Sequence, residues 1–112
     1  MTVPGDENPI AKRLASHDLA VYSADWCPDC TRLKALLSRE RIPHRVVDVD
    51  ADPAAADRLV RETGKRAIPF ILVDGRVWVR GYHREVGGRL NPALLLKELG
   101  EAIDGPMKEK RP

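Results

Sequence analysis

Short apolar runs alternate along the chain with amphipathic segments, and this pattern predicts strands that alternate with helices. The predicted strands are the four apolar runs bounded by turn residues or headed by a proline: 19–23, 45–49, 68–73 and 77–79. Apolar residues at helical spacing predict three longer helices: 28–41, 53–63 and 92–103. A further short helix is predicted from Asn8-Pro9 to about Ala15.

Turn residues between these segments predict how the strands connect. Asp52-Pro53 is a cap and first-turn pair that opens the second long helix, and Gly64 ends it. Asp74-Gly75 predicts a two-residue hairpin turn, so the last two strands should be antiparallel. Strands joined by a helix are expected to be parallel with a right-handed crossover. The sequence therefore predicts an α/β fold of order βαβαββα, with a four-stranded mixed sheet and helices on both faces.

Length and composition fit one globular domain. The 112 residues suffice to bury a modest core, and 43% hydrophobic with 32% charged residues is ordinary for such a chain. No apolar run approaches the roughly 20 residues of a membrane span. We expect a partly ordered N-terminal extension over 1–18, the domain itself over 19–103 and a flexible tail over 104–112.

The charge pattern and the N-terminal residues bear on the expected partners and compartment. A net charge of +2, with both signs mixed along the chain, does not indicate a nucleic-acid-binding surface. The N-terminal stretch lacks the charged start and apolar core of a signal peptide, so a cytoplasmic location is expected. No membrane partner is expected, and nothing in the sequence requires more than a monomer.

The chemistry is concentrated in Trp26-Cys27-Pro28-Asp29-Cys30, directly after the first predicted strand. These are the only two cysteines in the sequence. A cysteine pair two residues apart, at the junction of a buried strand and a helix, is typical of a dithiol/disulfide redox centre. In a reducing cytoplasm a lone cysteine pair is more often catalytic than structural.

The predicted helix explains why the two sulfurs should differ. Unpaired backbone N–H groups and the positive end of the helix dipole point at Cys27 and favour its thiolate, the reactive species. Pro28 suits the first helical position, where no N–H is needed. Cys30 lies one turn inward, within disulfide reach. Cys27 is therefore the candidate nucleophile, and Cys30 is the candidate thiol that attacks the Cys27 sulfur and releases the product.

Two other readings of the pair are weaker. A structural zinc site needs four ligands, and this chain offers one cysteine pair with three scattered histidines: His17, His44 and His83. A structural disulfide across two residues closes a tiny loop and restrains little of the unfolded chain.

With this element order, the cysteine pair after the first strand and Ile68-Pro69 before the third, the chain resembles the thioredoxin superfamily in its minimal, glutaredoxin-like form. The resemblance covers about Leu19 to Ile103. The segment around the cysteines is most similar to glutaredoxins, mycoredoxins and the redoxins that feed ribonucleotide reductase. Thioredoxin itself typically has Gly-Pro between its cysteines, where this chain has Pro28-Asp29.

The resemblance implies a substrate-binding surface around the thiols. It implies a cis peptide bond before Pro69, with the Ile68 backbone offered to an extended substrate as a strand partner. Trp26 is implied as an exposed docking surface, the alternative being a partly buried aromatic. The full set of implied substrate-binding residues is Trp26, Pro28, Arg66, Ala67, Ile68, Pro69, Gly81 and Tyr82.

The source of electrons stays open at this point. Family members that use glutathione often carry a lysine three residues before the first cysteine, where this chain has Ala24, and often have Thr-Val-Pro where it has Ala67-Ile68-Pro69. Arg66 or Lys65 is suited to hold a carboxylate, whereas Gly81-Tyr82 resembles the redoxins of ribonucleotide reductase. Glutathione, another low-molecular-weight thiol or a thioredoxin-reductase-like flavoenzyme are the alternatives. No tightly bound cofactor and no metal are expected.

These observations predict a thiol–disulfide oxidoreductase that reduces protein disulfides or protein–thiol mixed disulfides, with disulfide-containing proteins as partners. The alternative from a different class is an iron–sulfur or metal carrier that uses the two thiols as ligands. Family members that hold a cluster usually have a glycine after the first cysteine, and Pro28 stands there in this chain.

Overall fold

The computed structural model describes residues 9–82 and 90–109 and shows eight helices and strands within them. In chain order they are α1 (Pro9–Leu14), β1 (Leu19–Ser23), α2 (Pro28–Arg39), β2 (Arg45–Asp48), α3 (Pro53–Thr63), β3 (Phe70–Val73), β4 (Val77–Arg80) and α4 (Pro92–Glu109). After α1, the predicted order βαβαββα is confirmed. Among the described residues, no helix has both the length and the apolar character needed to cross a membrane.

The sheet is four-stranded and mixed, as predicted, with strand order β2-β1-β3-β4. β1 pairs with β2 in parallel, and β3 pairs antiparallel with both β1 and β4. β2 and β3 therefore run in opposite directions although α3 joins them, so the expectation that helix-linked strands are parallel is wrong for this pair. The segment 64–69 follows α3 and carries the chain to the far side of β1 from β2. β3 then starts at the end of the sheet where β1 and β2 finish, and it runs antiparallel to β1.

Helices cover both faces of the sheet, also as predicted. β1 is central and all five of its residues are buried, because alternate side chains face opposite layers. On one face Leu19 and Val21 join a core with α1, α2 and α4. On the other face Ala20 and Tyr22 join a second cluster with α3.

The N-terminal helix belongs to the core of the domain. α1 packs against α4, and its Ala11 and Leu14 are both buried, Leu14 completely. The predicted helix is thus confirmed, while its proposed cap, Asn8, lies outside the described residues.

The hairpin between β3 and β4 forms at the predicted Asp74-Gly75, but its connection is one residue longer than predicted. Both residues have positive φ, at 54° and 68°, and the Arg76 N–H donates to the Val73 carbonyl. Val73 nevertheless pairs with Val77, so Arg76 is left over as a third loop residue. The extra residue sits after the turn and outside the strand register, where it behaves as a bulge.

The end of the last helix also differs from the prediction. The sequence analysis ends this helix at Ile103 because Asp104-Gly105-Pro106 follows, whereas the backbone of α4 stays helical to Glu109. A proline inside a helix removes an N–H donor and crowds the carbonyl four residues before it. The turns that precede this proline are held by the completely buried Leu95 and Leu99. The flexible tail over 104–112 stays a prediction. Most of the predicted irregular stretch after Gly81 (residues 83–89) lies outside the described residues.

Candidate active site

Cys27 lies where β1 gives way to α2, at the N-cap of that helix. Its backbone is extended (φ −92°, ψ 113°), and its Sγ accepts the Cys30 N–H at 3.2 Å. Pro28 occupies the first helical position, as its fixed φ favours. The sulfur of Cys27 therefore replaces the usual side-chain oxygen as the acceptor for an orphan N–H of the helix.

Cys30 is more deeply buried than Cys27, with 0% of its surface exposed against 6% for Cys27. Burial, followed by its hydrogen bond with Cys27, raises the pKa of the Cys30 thiol to about 12, although the Ala24 backbone and Lys34 oppose this shift. Both cysteines are present as free thiols. The pair is thus asymmetric, because one sulfur sits at the helix cap and the other is a buried thiol that keeps its proton.

The peptide bond between Ile68 and Pro69 is cis, as the family resemblance implied. Gly81, at the end of β4, closes against this proline, and its N–H donates to the Pro69 carbonyl at 2.9 Å. A Cβ on Gly81 would lie 2.7 Å from Leu33 Cδ2 and 2.9 Å from Pro69 Cγ. The structure therefore gives Gly81 a packing role behind the cis-proline, which the sequence did not indicate.

Trp26 lies at the surface directly before Cys27, and 70% of it is exposed. The partly buried alternative is therefore wrong. Its indole Nε1–H donates to Asp50 Oδ2 at 2.7 Å. Asp50 follows β2 in a tight turn where Asp48 Oδ1 accepts the N–H groups of Asp50 and Ala51. The tryptophan is thus exposed and tied to a second loop at the same time.

A groove of about 280 Å³ opens between Trp26 and α3. It is lined by Trp26, Val49, Asp50, Ala56, Leu59, Val60, Arg66 and Ile68. Three of these residues, Trp26, Arg66 and Ile68, were implied by the sequence as substrate-binding. A larger cavity of about 390 Å³ lies between β4 and α4. None of the residues that line it was implied as part of the site, so we take the smaller groove, which is bordered by Trp26 directly before Cys27, as the candidate substrate groove.

Two further implied residues lie mainly in the packing of the α3 face. Ala67 and Tyr82 are half-buried against that cluster, and the Tyr82 ring meets Phe70 edge to face at 5.8 Å between centroids. Neither lines the groove beside Trp26 in the described structure.

The carboxylate between the two cysteines is paired with a guanidinium of the same helix. Asp29, between the cysteines, accepts a hydrogen bond from Arg32 at 2.9 Å. Ala24, which stands where glutathione-using relatives often carry lysine, is buried with 2% exposure. Among the side chains that the structure describes, no three of His, Cys, Asp or Glu are grouped as metal ligands.

Sequence reasoning missed Asp50 as a member of the site. The residue is 24 positions from Trp26, and only the parallel pairing of β1 and β2 brings the ends of these two strands together. Its signal in the sequence was the acidic run after the second predicted strand, which also fits an ordinary loop.

Comparison with known proteins agrees with this geometry. The glutaredoxin family model matches residues 19–78. Glutaredoxin 3 of Escherichia coli is 27% identical over 81 residues, which cover 69% of this chain and 96% of that protein. The solution structure of glutaredoxin from Brucella melitensis is 27% identical, with a TM-score of 0.52 over 79% of this chain and 85% of that one.

A second solved structure shows the same fold at lower identity. The buckwheat glutaredoxin–glutathione complex is 23% identical, with a TM-score of 0.52 over 80% of this chain and 86% of that one. The family match covers more than half of this sequence and includes the helix-capping cysteine pair. The chain belongs to the glutaredoxin family, within the thioredoxin superfamily.

Proposed function

We propose that this chain reduces protein disulfides or protein–thiol mixed disulfides, with Cys27 as the nucleophile and Cys30 as the resolving thiol. Glutaredoxin membership supports thiol–disulfide oxidoreductase chemistry in general. The single observation that carries the assignment of roles is the asymmetry of the pair: Cys27 caps α2, whereas Cys30 is buried with a raised pKa.

The first step forms one disulfide and breaks another. The Cys27 thiolate attacks one sulfur of the substrate disulfide, so a Cys27–substrate disulfide forms and the other substrate sulfur leaves as a thiolate that takes up a proton. The free N–H groups at the start of α2 stabilise the attacking anion.

The second step releases the reduced product. The Cys30 thiol loses its proton and its sulfur attacks Cys27 Sγ, so the Cys27–Cys30 disulfide forms and the second substrate thiolate leaves. Two electrons have then passed from the dithiol to the substrate. Backbone hydrogen bonds from Ile68, beside the cis Pro69, hold an extended substrate whatever its side chains.

Glutathione is the proposed co-substrate that returns the Cys27–Cys30 disulfide to two thiols. Two molecules of glutathione supply the two electrons and leave as glutathione disulfide. The buckwheat glutaredoxin was solved as a glutathione complex, which supports the same chemistry here. The Arg66 side chain is exposed at the rim of the groove, where it can pair with a carboxylate. A reducing cytoplasm is the compartment in which this cycle would run.

A second electron source is favoured by one specific observation. Family members that use glutathione often carry a lysine three residues before the first cysteine. In this chain the position is occupied by Ala24, which is buried and offers no charge to a small peptide thiol. This supports reduction by a thioredoxin-reductase-like flavoenzyme, which recognises the protein surface around the thiols.

A two-arm turnover assay tests the proposal and separates the reductants. Oxidised insulin and a small glutathione mixed disulfide are offered as substrates. One arm supplies glutathione with its reductase, and the other supplies thioredoxin reductase. Turnover in the glutathione arm confirms the first electron source, and turnover only in the flavoenzyme arm assigns the second. Turnover in neither arm, with correctly folded protein, contradicts the proposed function.

A further inference from the structure

Beyond the proposed function, we infer that the open edge of β2 is a self-association surface, on which a second copy of this chain adds its own β2 in antiparallel pairing centred on Val46. β2 is an edge strand of the sheet, and no strand in the described part of the chain covers its outer side. Val46 is 51% exposed and, apart from Trp26, is the only exposed large hydrophobic side chain among the described residues. An exposed apolar residue on an open strand edge is a typical site for pairing with another chain.

The backbone of β2 directs the polar groups of Val46 to the outer side of the sheet. The Val49 N–H donates to the Ser23 carbonyl at the end of β1. Alternate residues of a strand direct their N–H and C=O groups to the same side, so Val47 and Arg45 also bond to β1. The N–H and C=O groups of Val46 therefore point away from β1. Main-chain groups in this position are the ones that bind an added strand.

The side chains on this edge complement a second copy of themselves. Val46 pairs with Val21 of β1 and therefore lies on the α2 face of the sheet. His44 and Asp48 stand two residues before and after Val46, so the alternation of side chains places them on the same face. When the two Val46 residues lie opposite each other across a two-fold axis, His44 of each copy lies opposite Asp48 of the other. The central contact is then apolar, and each flanking contact joins an imidazole to a carboxylate.

Both flanking side chains keep a polar atom for this contact. His44 Nδ1 lies 2.9 Å from the Ile42 carbonyl oxygen, which can only accept, so Nδ1 carries a proton and Nε2 is left for a partner. Asp48 Oδ1 accepts the N–H groups of Asp50 and Ala51, whereas Oδ2 takes no part in that turn. When the ring is protonated, its Nε2–H donates to the Asp48 carboxylate of the second copy.

Charge also favours this register over its two neighbours. A two-fold axis one residue earlier places two Arg45 residues opposite each other, and like charges directly opposite destabilise a strand pair. An axis one residue later places the exposed Val46 opposite the Asp48 carboxylate. In the proposed register Arg45 lies opposite Val47 of the second copy, which its aliphatic stem can cover while Asp18 holds its guanidinium.

The resulting dimer joins two four-stranded sheets and keeps the two cysteine pairs apart. β1 and β2 are parallel, so Cys27 lies at the end of the sheet where β2 finishes. Because the two β2 strands run in opposite directions, the two Cys27 residues lie at opposite ends of the joined sheet. Each copy keeps its own cysteine pair, so the proposed function does not depend on this inference. A short strand pair buries little surface, and we expect a weak, concentration-dependent dimer.

Sedimentation of the full chain under reducing conditions tests the dimer, at protein concentrations from about 10 µM to about 1 mM. At about pH 6 an ordinary imidazole is protonated at least in part. We expect the wild-type mass to rise from one chain toward two. Val46→Lys places two ammonium groups opposite each other and should raise the dissociation constant about tenfold or more. Ala93→Lys is the control, since it adds the same charge at an exposed position of α4, which packs on β3 and β4, and should leave the dimer unchanged.

Amide resonances of the wild type locate the surface without any variant. As the concentration rises, the amide of Val46 and those of its neighbours along β2 should shift, while those of β4, the other edge strand, should not. A wild type that keeps the mass of one chain at about 1 mM overturns the inference. Association that a folded Val46→Lys does not weaken, or shifts confined to β4 or to Trp26, overturns it as well. The shift map decides the question even if Val46→Lys fails to fold.

Discussion

At the scale of single residues, the two cysteines divide their roles because their surroundings differ. Cys27 sits at the cap of α2 and accepts a backbone N–H. Cys30 is completely buried, and that burial raises the pKa of its thiol to about 12. A thiol with this pKa is almost entirely protonated near neutral pH, and the thiolate is the form that reacts with alkylating agents.

The reduced protein should therefore be alkylated at one site. At about pH 8, iodoacetamide should modify Cys27 and leave Cys30 as a thiol, because protonation and burial both protect Cys30. Peptide mass spectrometry locates the modified sulfur. Cys27→Ser is the control and should remain largely unlabelled until the protein is denatured. Equal labelling of both cysteines in the folded protein would contradict the assigned roles.

The sequence predicts some of these residues well and others not at all. The cysteine pair is recognisable because its spacing and its place after a strand are local properties. The cis bond before Pro69 entered only through the family resemblance, since most X–Pro bonds in folded proteins are trans. The contact between Trp26 and Asp50 depends on the pairing of β1 with β2, so no local pattern around either residue shows it.

At the scale of elements, the site is formed where three segments meet: the start of α2, the cis-proline before β3 and the end of β4. These segments come closest together at Gly81. Its N–H donates to the Pro69 carbonyl, and a Cβ on it would contact Leu33 of α2. A side chain there must displace the Leu33 side chain of α2 or the Pro69 ring.

Gly81→Ala should lower both stability and activity. The added Cβ would lie 2.7 Å from Leu33 Cδ2 and 2.9 Å from Pro69 Cγ, which are distances that real Cβ contacts do not show. Overpacking of this kind typically costs about 1–3 kcal/mol. Denaturant unfolding measures the loss, and turnover should fall as well because Pro69 is one of the proposed substrate-binding residues.

Gly100→Ala is the matched control for this substitution. Gly100 lies in α4, where the new Cβ would approach only the flexible end of Ile10, at 3.0 Å. Alanine is a better helix former than glycine by about 1 kcal/mol, so this variant should be at least as stable as the wild type. If the two variants lose similar stability, Gly81 has no special place behind the proline.

Element boundaries show where sequence patterns stop being informative. β1 and α3 fall where predicted, because a short apolar run and the Asp52 cap with Gly64 at the end are local signals. The direction of β3 was not predicted, because it depends on how β3 pairs with β1 in the sheet. The extra hairpin residue Arg76 was not predicted, because it depends on the register of β3 with β4.

At the scale of the whole molecule, charged residues join the hairpin turn and β2 to the segment just before β1. Asp74 Oδ2 contacts His17 Nδ1 at 2.6 Å, and its Oδ1 accepts the Asp18 N–H at 2.9 Å. His17, followed by the Asp18 backbone, holds the pKa of the Asp74 carboxyl below its usual range. Arg45 of β2 likewise lowers the pKa of Asp18 through a two-pronged hydrogen bond.

These lowered pKa values make stability depend on pH with a definite sign. A carboxyl whose pKa is lower in the folded state stabilises the fold above its unfolded pKa of about 4, and this contribution disappears as the pH falls through the folded pKa. Asp74→Asn keeps a residue that tolerates positive φ and removes the charge. It should cost about 0.5–1 kcal/mol near neutral pH, and the difference from wild type should vanish in strong acid.

Urea unfolding across this pH range measures that difference. Asp57→Asn removes one partner of the exposed Asp57–Arg61 pair within α3 and is the control. It should change stability by a few tenths of a kcal/mol at most. A deficit of Asp74→Asn that persists unchanged into acid would show that the turn, and not the carboxylate, is responsible.

The most direct test of the whole account is to trap the covalent intermediate. Cys30→Ser, mixed with a disulfide-containing protein, should accumulate a mixed disulfide because the resolving sulfur is missing. Peptide mass spectrometry should place that bond on Cys27, and Cys27→Ser should form no such complex under the same conditions. If Cys30→Ser traps nothing, or if Cys27→Ser traps as much substrate through Cys30, the assignment of Cys27 as nucleophile and Cys30 as resolving thiol is wrong.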